Sequence, residues 1–179
     1  MTAAGHVFGY GSLVALPGVR RATLRGHRRV WGVAMDNAVA VPGYKVYESP
    51  DGARPPVAVA FLDLVADPAC DVEGALLEVD AGALAALDAR ERQYERIAVT
   101  GAVEPAPPDG EPVWTFVGRE PGRSRVRDGG RAVVIQRAYA ELVEAAFAAL
   151  GDDALARYRA STEPSPFPVV ELARVDLPG

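Results

Sequence analysis

Val7-Phe8-Gly9-Tyr10-Gly11-Ser12-Leu13 is a short apolar strand that runs straight into a Gly-x-Gly-Ser loop. Val7, Phe8 and Tyr10 favour extended backbone, and the two glycines admit conformations and close approaches that a Cβ would forbid. A strand ending in such a loop leaves several N–H groups unpaired and aimed outward, which makes a cradle for an anion. No lysine or arginine lies between positions 1 and 19, so main-chain groups at Gly11, Ser12 and Leu13 are expected to hold that anion. The glycine spacing runs on to Val14 rather than to a third glycine, which excludes a dinucleotide fingerprint. Val14 also stands where a serine-hydrolase elbow needs glycine, so Ser12 reads as a loop-stabilising or substrate-binding residue and not as a nucleophile. Tyr10 is either the anchor of the loop, its hydroxyl bonding backbone or substrate, or a plain core aromatic.

Working outward, residues 22–35 alternate as a second strand. Tyr44 to Glu48 and Val57 to Leu64 flank the turn Pro50-Asp51-Gly52 and predict a hairpin. Val72 to Val79 reads as a strand in which Gly74 marks a bulge or a close backbone approach. The period then changes. Asp80 caps a predicted helix in which Leu84, Leu87 and Glu91 fall at i, i+3 and i+7. Strand alternation returns from Ile97 to Val103 and from Val113 to Val117, before a Gly- and Arg-rich stretch over 119–131 that reads as an exposed loop. A helix over 135–150 stops at Gly151, a short helix covers 153–160, and a Pro-rich segment, Pro164 to Pro168, leads to a last apolar alternation through Val175. Many strands with a few helices, not regularly alternating, indicate an α+β fold.

With 179 residues, the chain is expected to form a single domain, 1–179, with length enough for a core. Apolar residues at 49% and charged residues at 24% are globular proportions. No apolar run is long enough for a membrane span, no basic-then-apolar leader opens the chain, and the single cysteine, Cys70, suits a reducing cytoplasm. A net charge of −5 argues against a general nucleic-acid binder. Two arginine clusters, Arg20 to Arg29 and Arg119 to Arg131, read as decoration of a strand and a loop, the alternative being that one of these arginines meets the carboxylates of an acidic substrate. Eighteen arginines against one lysine, Lys45, point to a GC-rich bacterial genome. His6 and His27 have no ligand-like spacing with each other or with Cys70, so no metal site is expected.

Glu91 shares its stripe with two leucines, the face that ought to point inward. A carboxylate rarely occupies such a face unless it is paired or functional, and burial would raise its pKa toward the range of a general base. An ordinary salt bridge to Arg90, Arg92 or an arginine elsewhere, or a helix that ends before 91, is the plainer reading, and Glu95 is the rival carboxylate. Together, Tyr10-Gly11-Ser12-Leu13 and Leu87-Asp88-Ala89-Arg90-Glu91 resemble the two motifs of the gamma-glutamylcyclotransferase-like superfamily, which includes ChaC-type and AIG2-like proteins. Arg25-Gly26-His27-Arg28-Arg29-Val30-Trp31 is similar to a further strand of the ChaC branch. The likeness covers most of the first hundred residues. It departs at Val14-Ala15-Leu16, where an aromatic is usual, and at Gln93-Tyr94, where a glycine precedes the tyrosine.

The resemblance implies a small mixed β-barrel flanked by helices, with Glu91 as the catalytic acid/base and Tyr10, Gly11, Ser12, Leu13 and Tyr94 as substrate-binding residues. Tyr139 is a further candidate for lining the pocket. It implies cyclisation of a γ-glutamyl amine or peptide to 5-oxoproline with release of the amine, without a metal or organic cofactor. The departures point away from glutathione as the substrate. A non-catalytic ligand- or protein-binding domain of the same fold is the alternative. A Glu91 turned toward the Gly11–Leu13 amides would favour the enzyme; a surface Glu91 paired to arginine would favour the binding domain.

Overall fold

β1 (Gly5–Gly9) is buried at every residue, which accounts for its apolar run: it has a strand on either side. The structure, a computed structural model, describes residues 5–179. A 3₁₀ turn (Ser12–Ala15) leads to the long strand β2 (Arg20–Asp36), then to β3 (Lys45–Glu48) and a second long strand, β4 (Ala58–Val79). Next come α1 (Ala81–Arg90), β5 (Tyr94–Ala98), the short β6 (Val103–Glu104) and β7 (Val113–Gly118). α2 (Glu120–Arg127), β8 (Val133–Gln136), α3 (Arg137–Ala149), α4 (Ala154–Ala160), β9 (Val169–Val170) and β10 (Ala173–Asp176) follow.

Neighbours in the main sheet run β5-β7-β1-β4-β2-β6, with β8 beside β4 and β9 beside β8. The β1–β7, β4–β8 and β8–β9 pairs are parallel and the others antiparallel, so the sheet is mixed. β2 and β4 form its frame, paired from Arg20↔Leu76 to Asp36↔Ala58 with register shifts at Arg25/His27 and Trp31/Val33. Each shift brackets a glycine, Gly26 or Gly32, and such bulges bend and twist a strand. The sheet thereby curls into a half-barrel around Phe8, Leu24, Leu62, Leu64 and Leu76, with Phe147 of α3 and Tyr158 of α4 packed against them. This is the α+β, mixed-barrel architecture expected from the resemblance.

On the edge away from β2, β4 pairs with β8 over 58–60 and with β1 over 75–79. Among the described residues no strand pairs with that edge between these two stretches. The candidate site opens beside this gap.

Three local expectations are corrected. β3 does not form a hairpin with β4; it pairs with β10, from Ala173↔Glu48 to Asp176↔Lys45. The turn at Pro50-Asp51-Gly52 exists, closed by Gly52 N–H on Ser49 O at 2.8 Å. Pro55 and Pro56 follow it, and with no N–H and fixed φ they lead the chain away from β3. The stretch 119–131 is not an open loop, because α2 occupies its first half with Pro121 in the first turn and Glu120 bonding Arg127 at 2.9 Å. Gly122 is there for packing: a Cβ would stand 2.9 Å from Val33 Cγ1. The arginine clusters are not wholly decorative either, since Arg29 is fully buried and Arg123 binds the buried Asp63 at 2.7 Å.

Candidate functional site

α1 delivers Glu91. Asp80 caps the helix by accepting from Ala83 N–H at 2.7 Å, and Leu84 and Leu87 bury its inner face against Val7, Leu13 and Phe116. The helix ends at Arg90, so Glu91 is the first residue out of it rather than the last residue on its stripe. Its φ of −84° and ψ of 53° end the helix while its N–H still bonds Leu87 O at 2.9 Å. The side chain follows the inward direction of the two leucines and is 16% exposed. Glu95, on β5, is exposed.

Glu91, Tyr10, Gly11, Ser12, Leu13 and Tyr94 line one small cavity of about 40 Å³, completed by Leu62, Phe116 and Tyr139. The candidate acid and the candidate substrate-binding residues thus meet in one place. At the ~10–15 Å³ that a single water occupies on this measure, the cavity takes about three heavy atoms, the size of a carboxylate. The two tyrosines hold its walls to the backbone. Tyr10 donates to Phe116 O at 2.6 Å, and Tyr94 donates to Leu62 O at 2.7 Å beside the uncovered edge of β4. Burial pushes both phenols well above their ordinary pKa, so each stays a neutral donor.

The loop's glycines work by close approach. A Cβ on Gly9 would stand 2.8 Å from Leu13 Cβ, and one on Gly11 would stand 3.0 Å from the Tyr139 hydroxyl. The 3₁₀ turn is closed by Val14 N–H on Gly11 O (3.0 Å) and Leu16 N–H on Leu13 O (3.1 Å). The amides of Gly11, Ser12 and Leu13 precede the first of these bonds and so lie at the donor end of the turn. A cation from elsewhere does reach the loop: Arg90 donates to Ser12 Oγ at 3.2 Å and stands 3.4 Å from the Glu91 carboxylate. The position of Glu91 therefore combines both arrangements weighed from sequence, a pocket beside the loop and an arginine neighbour.

Ser12, Glu91, Tyr94 and Tyr139 also line a second, larger cavity of about 570 Å³ that extends outward between α1, α3 and the β3–β10 pair. Burial raises the Glu91 pKa, and the charges of Arg90 and Lys45 pull it partly back. Tyr139, on α3, packs edge-on against Phe61 with ring centres 5.1 Å apart and is likewise pushed up by burial. Arg90 and Lys45 were not marked as site residues by the sequence. Arg90 lies inside the second motif, next to Glu91, and so was within reach of motif reasoning. Lys45 carried one signal, its being the only lysine among eighteen arginines. Among the described residues no group of three or more His, Cys, Asp and Glu side chains is placed to hold a metal ion.

The mixed half-barrel has counterparts among solved structures. A gamma-glutamyl cyclotransferase superposes with a TM-score of 0.54 at 12% identity, over 91% of this chain and 90% of that one. YkqA from Bacillus subtilis gives 0.57 at 16% identity, over 89% of this chain and 54% of YkqA. An uncharacterized protein from Homo sapiens gives 0.53 at 14% identity, over 91% and 90%. At these identities the likeness is one of fold. No curated protein matches the sequence. Residues 7–133 match the family described as gamma-glutamyl cyclotransferase, AIG2-like, and the chain belongs to that family. No helix among the described residues is long and apolar enough to cross a membrane.

Proposed function

We propose that the protein is a γ-glutamyl cyclotransferase acting on a small γ-glutamyl amine or peptide, with Glu91 as general acid/base. The observation that carries this reading is the shared cavity: Glu91, largely buried, and the loop residues Gly11, Ser12 and Leu13 line one space sized for a single small group. Membership of the family supports the same class of reaction.

The chemistry needs these parts. The free α-amine of the γ-glutamyl group attacks its own γ-carbonyl, a C–N bond forms, and a tetrahedral oxyanion results. The bond to the departing nitrogen then breaks, leaving 5-oxoproline and a free amine. In water the amine is protonated, the folded conformer is rare and the oxyanion is unstabilised. Glu91 takes the amine proton and returns it to the leaving nitrogen, so no net proton is consumed within the cycle. The loop amides hold the glutamyl carboxylate or the oxyanion, fixing a near-attack conformer. Tyr10 and Tyr94, tied to Phe116 O and Leu62 O, keep the walls rigid while they do so. The larger cavity has the volume for the departing amine.

The test is a panel of γ-glutamyl peptides and amines incubated with purified protein, with 5-oxoproline read by mass spectrometry. Glu91→Gln should keep the fold and lose at least ~100-fold in kcat. Full activity in that variant would remove Glu91 from the role. Absence of 5-oxoproline from the whole panel would leave the binding-domain alternative.

A further inference from the structure

Lys45, the chain's one lysine, projects from β3 into the larger cavity. Its ammonium lies among aromatic rings, 4.4 Å from the centre of Phe61, 5.6 Å from Tyr44 and 5.8 Å from Tyr47. Among the described residues it makes no ion pair. The two carboxylates lining the cavity have other partners: Glu91 faces Arg90, and Asp176, opposite Lys45 in the β3–β10 register, is held by Arg174 at 2.7 Å. The ring faces attract the ammonium but give it no counter-ion, so they offset only part of the cost of burying it in the empty site. An anion arriving with the substrate would remove that cost, and its binding is strengthened by the poor solvation of its receptor. Burial lowers the Lys45 pKa to about 8, helped by Arg174 and Arg90 and opposed by Glu91 and Asp176. At neutral pH the group is still charged.

Resting on the cyclotransferase reading, we propose that Lys45 is the receptor for a carboxylate on the departing amine, so that the preferred substrates are γ-glutamyl amino acids or peptides rather than neutral γ-glutamyl amines. The assignment to the departing half follows from place. The glutamyl end meets the amides of Gly11 to Leu13 in the inner cavity, whose lining does not include Lys45. Lys45 stands on the wall of the outer cavity, past Glu91. The rings around it give the departing residue an apolar seat beside its charge.

The experiment compares γ-glutamyl-alanine with γ-glutamyl-alanine amide, a pair differing only in carboxylate against carboxamide. The wild-type protein should favour the acid at least ~10-fold in kcat/KM, the scale of one charge-assisted hydrogen bond. Lys45→Met should collapse that ratio, and Lys45→Arg should restore most of it. Equal use of both substrates by the wild type overturns the proposal. So does an equal proportional loss on both in Lys45→Met, which would put Lys45 on the glutamyl carboxylate instead. If neither these two compounds nor any other of the panel yields 5-oxoproline, the cyclotransferase reading fails. Calorimetric titration with the same two compounds then decides the site. Tighter binding of the acid, lost in Lys45→Met, upholds it; equal or no binding overturns it.

Discussion

Glu91 carries opposite demands, and their conflict is measurable. Desolvation raises its pKa and the charges of Arg90 and Lys45 only partly restore it. As a base it must be ionised, so kcat/KM should fall as pH drops through the raised Glu91 value, and a pH–rate profile should show that acidic limb. The sign for stability is the reverse. Between the ordinary carboxylate pKa and the raised one, the folded state holds a proton that the unfolded state has released, so stability falls as pH rises through that window. The cost is fully present above the raised value and absent below the unfolded-state pKa of roughly 4.3. Glu91→Gln should therefore melt at a higher temperature than the wild type at pH 7, with the difference vanishing as pH approaches 4. Calorimetry at both pH values tests it, and an equal melting temperature at pH 7 would mean that the carboxylate is not strained by burial. The motif residues themselves were legible from sequence, because strand, glycine loop and capped helix are local signals. The exposure of Glu95 and the inward turn of Glu91 at the end of α1 are tertiary facts. The leucine stripe anticipated the direction of Glu91, and the helix ends before 91, an end the sequence left open.

At the scale of elements, the sequence is readable where a segment's partner is near in the chain and fails where it is far. Asp80 and the leucines announce α1, and Gly74 was rightly marked, since a Cβ there would run into Gly9 O and the Phe8 ring. By contrast, β3 pairs with a strand more than a hundred positions on, and nothing between Tyr44 and Glu48 encodes that choice. α2 was hidden by its own composition: glycine suggested a loop, yet Gly118 and Gly122 are small because Val33 packs on both. What holds α2 down is the buried Asp63 of β4. Its carboxylate accepts from Gly118 N–H at 2.7 Å and from Arg123 at 2.7 Å, while also taking the Leu64 N–H. Asp63→Ala strands those donors and should lower unfolding free energy by about 3 kcal/mol, the low end for breaking a buried pair because Arg123 still reaches water. Glu120→Gln, at the exposed pair with Arg127, should change it by less than ~1 kcal/mol. Urea unfolding of both variants checks the contrast, and similar losses would mean that Asp63 is not the tether.

Across the whole molecule, the family match ends at 133, yet the later residues Gln136, Tyr139, Arg174 and Asp176 line the large cavity. The later segment is fastened to the half-barrel through Arg29, which has no exposed surface. Its guanidinium lies 5.0 Å from the Phe147 ring and 4.7 Å from the Tyr158 ring, and donates to Tyr158 O (3.3 Å), Ser161 Oγ (3.2 Å), Thr162 Oγ1 (2.9 Å) and Glu73 O. The main chain reinforces it, with Arg29 N–H on Ser161 O and Glu163 N–H on Arg29 O. Sequence could not tell Arg29 from its neighbour Arg28, because the distinction rests on contacts about 130 positions away. Which property of Arg29 matters can be separated. Burial lowers its pKa to about 10, so the charge is poorly compensated, and losing it is not itself harmful. Tyr158 O would keep a donor in Thr162, at 2.6 Å, whereas Glu73 O would lose the guanidinium. Arg29→Met keeps most of the buried stem and should cost about 1–2 kcal/mol, chiefly for that carbonyl. Arg29→Ala also empties the space between two rings and a strand, and should cost about 3–5 kcal/mol. In both variants hydrogen exchange should quicken first over 154–163, since those residues lose the anchor while β2 and β4 keep their ladder. A Met variant as unstable as the Ala variant would mean that the charge, rather than the packing of the stem, fastens the later segment.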